Sequence, residues 1–230
     1  AVLAGLHADI MEKAADKAVS ADAREAVALL TPVVKSYFTD LGVESALSAQ
    51  QVYGGHGYIH EHGMEQLVRD ARIGQIYEGT NEVQALDLVA RKLTGSTGEF
   101  TDRFFDNLQR FLANHEGDDD VAAYLAPASA AMVRLRDTTA WVRDKLATDK
   151  AAAMGAATHY LRLFALTVIA CLWVQIIVTI RNKDGEFYDA KRKTALFYMQ
   201  QVLPETISIA AIITGGDAAL ANFEVADFAD

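Results

Sequence analysis

The chain has 230 residues, about half of them hydrophobic, with 15 Gly and only 3 Pro. This is enough for one large domain or two small ones, each with a substantial core, and it excludes a disordered chain. A formal net charge of −10 excludes a phosphate-tracking surface, because nucleic-acid binders concentrate Lys and Arg on one face.

Ala, Leu, Glu, Lys and Gln fill long unbroken runs, so local preference favours helix nearly everywhere and the expected fold class is all-α. The sequence opens at Ala1 without a basic stretch followed by an apolar signal core. No export signal is expected, and the chain reads as cut from something longer.

From Ala26 onward Leu29, Leu30, Val33, Val34, Tyr37, Phe38 and Leu41 recur at the three-four spacing of one helix face. Pro32 interrupts them. With Thr31 as cap and Pro32 at the first helical position, the pattern predicts a short helix ending near Leu30 and a second running to about Tyr53. Gly54, Gly55, Gly57 and Gly63, among three histidines, predict a loop. Helical spacing returns over Met64–Ile73 and again, after GQIYEGT, through Val83, Leu86, Ala90 and Leu93.

The Gly-Ser-Thr-Gly cluster at Gly95 to Gly98 is expected to stop that helix and mark a domain boundary, dividing residues 1–94 from a helical, bundle-like extension over 95–230. In the extension three or four long helices are expected, about Glu99–His115, Val121–Lys145, Asp149–Arg181 and Asp189–Ile213. The acidic run Asp118 to Asp120 and the NKDGE stretch, Asn182 to Glu186, read as solvated turns. LRLFALTVIACLWVQIIVTI, Leu161 to Ile180, has the length of a bilayer span, but Arg162, Thr167, Gln175 and Thr179 interrupt it and the apolar core between Leu163 and Val174 falls short of one. A helix buried on all sides is the expectation, with peripheral membrane attachment as a minor alternative. Cys171 inside it is read as an inert core thiol; as the only cysteine it excludes a disulfide framework and fits a reducing, cytoplasmic setting.

Chemistry is most densely suggested by Gly74 to Gln84, GQIYEGTNEVQ. Glu78, between Tyr77 and Gly79, is placed to be half-desolvated beside a glycine that admits a ligand to the backbone. Burial would raise its pKa towards that of a useful base, whereas the helix start at Thr80 would lower it. The ordinary alternative is a solvated loop or capping carboxylate. Thr80, Asn81 and Glu82 offer free N–H groups and a positive dipole end suited to a phosphate, or simply a capped helix. Gln51 to Tyr58, QVYGGHGY, is either a loop letting the backbone approach a planar or phosphorylated ligand, or a helix end and turn. It matches neither a Walker loop nor GxGxxG. His56, His60 and His62 with Glu61 lack the one-face spacing of HExxH, and no metal is expected.

Taken together, SAQQVYGGHGYIHEHGMEQLVRDARIGQIYEGTNEVQ resembles the C-terminal helical domain of the acyl-CoA dehydrogenases: a QxxGGxGY loop, a V-R-D-A-R-I helix, then Q-I-Y-E-G-T, in that order. The match covers about Pro32 to Leu93. The ending ALDLVARKL and the long helical continuation resemble the subgroup with a C-terminal extension, which includes enzymes for 3-methylmercaptopropionyl-CoA.

The resemblance implies an FAD-dependent enzyme that converts an acyl-CoA substrate to a trans-2-enoyl-CoA, with Glu78 as the base that removes the α-proton. Tyr77 would line the acyl pocket, Gly79 would let the substrate pass, and the Glu78 N–H would help hold the thioester carbonyl. Gln51, Val52, Tyr53, Gly54 and Gly55 would meet the adenosine-diphosphate part of FAD across a subunit interface, with Thr80, Asn81 and Glu82 as a second FAD segment. Many members have Gln where this chain has Glu82. A homo-oligomer, dimer or tetramer, and an electron-transfer flavoprotein as electron acceptor are also implied. The family's N-terminal and middle domains are not in this sequence, so the chain alone is expected to be inactive. The alternative from the residues is a catalytically inert helical interaction module with a relic YEGT stretch.

Overall fold

The computed structural model describes residues 1–216 and 223–228, and every regular element among them is helical, so the fold is all-α. The chain falls into two compact units, Ala1–Lys92 and Leu93–Asp230.

The first unit is built on one long helix. α1 (Val2–Lys13) turns into α2 (Lys17–Val52) at Asp16, whose Oδ1 accepts from the N–H groups of Ala18 (2.7 Å) and Val19 (3.4 Å). This satisfies two of the donors orphaned at a helix start. α1 has no buried residue, which is why apolar spacing does not announce it. Its His7 is partly buried, with Nδ1 unpartnered among the described residues, and burial lowers its pKa from the ordinary 6.5. The folded state thus favours neutral imidazole. This contribution is complete above the unfolded pKa and is lost as pH falls through it to the lower folded value. In urea titrations, the stability lost between about pH 7 and about pH 5 should be smaller for His7→Leu than for the parent. Equal losses would show that His7 contributes nothing.

The expected break at Pro32 does not occur: α2 runs through it without interruption for 36 residues. Proline in a helix interior costs about 3 kcal/mol. Here Pro32 is itself buried beside Leu29, Leu30, Val33 and Tyr37, and burial of that stripe outweighs a missing N–H bond. The Thr31 hydroxyl does not cap a new helix; it donates to the Val27 carbonyl one turn back (2.7 Å).

α3 (Gly55–Tyr58) and a 3-10 turn, His60–His62, occupy the expected loop. α4 (Met64–Ile76) and α5 (Asn81–Asp87) both pack on α2. α5 loosens into a π turn, Leu88–Lys92, whose Leu88 and Val89 are fully buried.

In the second unit the Gly-Ser-Thr-Gly cluster, expected to end one helix, begins the next. Gly95–Gly98 form the first turn of α6 (Gly95–Ala113). Arg143 anchors this turn, donating to the carbonyls of Leu93 (2.9 Å) and Gly98 (3.1 Å) and to both Asp102 oxygens (2.8 and 3.1 Å). A Cβ on Gly98 would stand 2.6 Å from the Leu93 oxygen, so only glycine fits. α7 (Ala122–Thr148) follows the acidic turn.

The single helix expected over Asp149–Arg181 is two: α8 (Lys150–Gly155), capped by Asp149, and α9 (Ala157–Ile180). The last expected helix also divides, into α10 (Glu186–Phe197), a π turn at Tyr198–Val202 and α11 (Glu205–Thr214). Pro204, which has no N–H to continue the ladder, sits at the start of α11.

α9 is the centre of this unit, packed against α6, α7, α8, α10 and α11. Its Phe164 is fully buried against the rings of Phe104, Phe105 and Tyr160. Arg162, the charge interrupting the apolar run, is forked onto Glu205 (2.6 and 3.0 Å). Burial pushes the Cys171 thiol up to about 12, which leaves it little nucleophilic thiolate. Among the described residues three helical stretches are long and apolar enough to cross a membrane, Lys17–Val52, Ala157–Ile180 and Glu186–Thr214, the second with most of its apolar segment inside the fold.

Candidate active site

Between α4 and α5 the chain reverses over four residues. The Tyr77 N–H closes α4 on the Ile73 carbonyl (3.1 Å), Tyr77 is extended, and Thr80 caps α5 by accepting from the Val83 N–H (3.4 Å). The turn is made by two successive left-handed residues, Glu78 at φ 54 and Gly79 at φ 82. Glycine adopts this conformation freely. For Glu78 it costs on the order of 1–2 kcal/mol, and no other non-glycine among the described residues has positive φ. A carboxylate is thus kept where the backbone alone would prefer glycine or asparagine.

Glu78, Tyr77 and Gly79 come together on this exposed loop. The half-burial expected for Glu78 is not provided by this chain: the side chain is exposed, with no hydrogen bond or ion pair among the described residues. The Glu78 carbonyl accepts from the Gln84 side-chain amide (3.3 Å), and a Cβ on Gly79 would approach that amide to 3.0 Å.

Asn81 lies differently from expectation. It is only 5% exposed, and its side-chain amide is consumed inside the fold by Lys35, Ser36, Thr39 and Asp40 of α2. To a ligand it can offer only its backbone N–H. Glu82 is exposed, and its own backbone N–H, then the Thr80 hydroxyl, hold its carboxyl below the usual range. Its charged form is favoured, which opposes contact with a diphosphate.

Gln51, Val52, Tyr53, Gly54 and Gly55, at the end of α2, are all exposed. Gly54 has φ 58 and ψ −141, and a Cβ on Gly54 or Gly55 would meet nothing within 4 Å. This open glycine surface fits the close approach of a flat or phosphorylated cofactor. The neighbouring Gln50 clamps the loop, its amide donating to the Gly57 carbonyl (3.1 Å). His60 pairs with Glu65 (2.7 Å), and His56 meets His62 edge to face.

The two expected cofactor segments are not brought together. Asn81 docks at Asp40, which precedes Gln51 by 11 residues of α2, about 16 Å along the helix axis. Sequence reasoning missed Lys35, Thr39, Asp40, Gln75 and Gln84. The available signal was polar Lys35, Thr39 and Asp40 at i, i+4 and i+5 within an otherwise apolar pattern.

A family model described as "Acetyl-CoA dehydrogenase C-terminal like" matches residues 104–224, and "Acyl-CoA dehydrogenase, C-terminal domain" matches residues 6–94. Among similar proteins, 3-methylmercaptopropionyl-CoA dehydrogenase of Ruegeria pomeroyi is 32% identical over 96% of this chain and 38% of its own length. An acyl-CoA dehydrogenase of Bacillus subtilis is 46% identical over 28% of this chain and 17% of its own length. Among solved structures, Caenorhabditis elegans ACDH-11 in complex with C11-CoA superposes with a TM-score of 0.66 over 97% of this chain and 37% of that one, at 18% identity, which bears on the fold alone. The chain thus spans little more than a third of the length of relatives that it matches over most of its own residues. With both of its halves matched by the family's C-terminal domains, the chain belongs to the acyl-CoA dehydrogenase family.

Proposed function

We propose that this chain carries the base of an FAD-dependent enzyme that desaturates an acyl-CoA thioester between its α and β carbons. The observation that supports this best is Glu78, held at φ 54 on an exposed loop. A relic would gain stability by losing the strain, so its retention favours use over inertness.

In this reading the Glu78 carboxylate takes the α-proton, becoming a carboxylic acid, while the Cα–H electron pair forms the new double bond. FAD, when bound, supplies the acceptor for the β-hydrogen and its electron pair. The product is a trans-2-enoyl-CoA. The Glu78 N–H would stabilise the thioester carbonyl as charge develops there, and Tyr77 would border the acyl chain. Because Glu78 is exposed here, the desolvation that strengthens a carboxylate base has to come from what covers the loop. Gln51–Gly55 and the backbone at Thr80–Glu82 would hold FAD in a homo-oligomer, dimer or tetramer, in which the segments come from different copies. An electron-transfer flavoprotein would collect the electrons, and the setting is a reducing cytoplasm.

Anaerobic addition of an acyl-CoA series to the complete protein tests this reading. A yellow protein that bleaches is expected, and the substrate that bleaches it fastest defines the acyl class. A protein that binds no flavin, or whose flavin no acyl-CoA reduces, would sink it.

A further inference from the structure

Lys35 and Asp40 lie little more than one turn apart on α2, and each grips both flanks of the Glu78 loop. Lys35 Nζ donates to Asn81 Oδ1 (2.8 Å) and reaches the Gln75 carbonyl (3.5 Å). Asp40 Oδ1 accepts from the Gln75 amide (2.6 Å) and from the Asn81 amide (2.6 Å). Gln75 stands three residues before Glu78 and Asn81 three after it.

Thr39 completes the clamp, with its hydroxyl 2.9 Å from Asn81 Nδ2. A Cβ on Gly74 would lie 3.2 Å from the Thr39 methyl, so α4 lies close against α2 at this point. Arg72 donates to the Gln75 side chain from one turn back on α4.

We propose that Lys35, acting through Asn81 and Gln75, is a positioning residue that holds the Glu78 carboxylate in its reactive place. This rests on the reading of Glu78 as the base. A residue in the left-handed region persists only where its surroundings over-determine it. Inside the loop the carbonyl of Glu78 has a single tether, Gln84, and its carboxylate has none among the described residues. The double grip on the flanks is therefore what opposes relaxation of Glu78 to negative φ, a rotation that would swing the carboxylate away from any substrate bound over the loop. The charge of Lys35 suits this role because one ammonium supplies donors to an amide oxygen and a backbone carbonyl at once.

The test uses the complete flavoprotein with Lys35→Met, Lys35→Arg, Thr39→Val and Glu78→Gln. For Lys35→Met the rate of flavin reduction per bound flavin should fall about ten- to a hundredfold, the penalty of a misplaced reacting group. The acyl-CoA concentration for half-maximal rate should stay within about twofold. The α-deuterium isotope effect should rise, and hydrogen exchange at the Glu78 and Gly79 amides should quicken, while Lys35→Arg restores most of the rate. A merely structural role would lower the active fraction without changing the isotope effect. An unchanged rate and isotope effect in Lys35→Met, with Glu78→Gln inactive, overturns the positioning role and leaves the base intact. Should Lys35→Met fail to hold flavin, Thr39→Val decides: a slower rate with a raised isotope effect supports the clamp, and parental values overturn it. Normal reduction by Glu78→Gln overturns the base reading and the positioning role with it.

Discussion

Glu78→Gln in the complete protein is expected to keep its flavin and to lose acyl-CoA-dependent bleaching by about two to four orders of magnitude, the usual contribution of a general base. Glutamine keeps the length, planarity and hydrogen-bonding reach of the side chain, and the backbone at φ 54 is asked to do nothing new. Only the ability to accept a proton is removed. Stopped-flow absorbance under anaerobic conditions reads the loss directly, and a variant that still bleaches at the parental rate removes Glu78 from the chemistry. Glu78→Gly separates chemistry from strain. It should be equally inactive yet more stable in urea by up to about 1 kcal/mol, because glycine adopts positive φ without the steric cost, less its own entropy in the unfolded chain. A glycine variant less stable than the parent would mean that the backbone stores no strain at this position.

Phe164→Ala is expected to have the largest effect on stability, about 3–5 kcal/mol, as for other aromatic truncations in a closed core. The ring is fully buried, stacked on Phe104 at 6.3 Å with a 5° interplanar angle and tilted against Phe105 at 5.6 Å and Tyr160 at 6.5 Å. These pairs add to the loss of apolar burial. Nearby, the Tyr160 hydroxyl pairs with Thr139 Oγ1 (2.7 Å), and a collapsing core would disturb that buried bond as well. Phe164→Leu keeps most of the volume and should lose less than half as much. Urea titration followed by far-ultraviolet circular dichroism is the measurement, and a loss under about 1 kcal/mol for alanine would place Phe164 outside the core.

Much of this protein was legible without coordinates because the relevant physics is short-ranged. Helix preference and apolar spacing depend on residues within a turn or two, and they correctly indicated an all-α chain. Thr80 followed by a helix, and Cys171 among Ala170, Leu172 and Trp173, are equally local readings, as is the glycine beside Glu78 that makes a tight reversal possible.

What the tertiary structure decided is where local rules met long-range packing. Pro32 should end a helix by its own chemistry, yet burial of its face against the rest of the unit carries α2 through it. Gly95 to Gly98 look like a helix stop, yet Arg143, more than forty residues away, fastens them as a helix start. The last two expected helices break where π geometry, a glycine or a proline re-aims the chain. The same limit holds at the site. The sequence by itself determined that a carboxylate, a glycine and a helix cap stand in a row. That Asn81 turns inward, that Glu78 is strained, and that Lys35 and Asp40 hold the loop from both flanks depend on side chains about forty residues apart in the chain meeting across two helices, a distance over which periodicity carries no information.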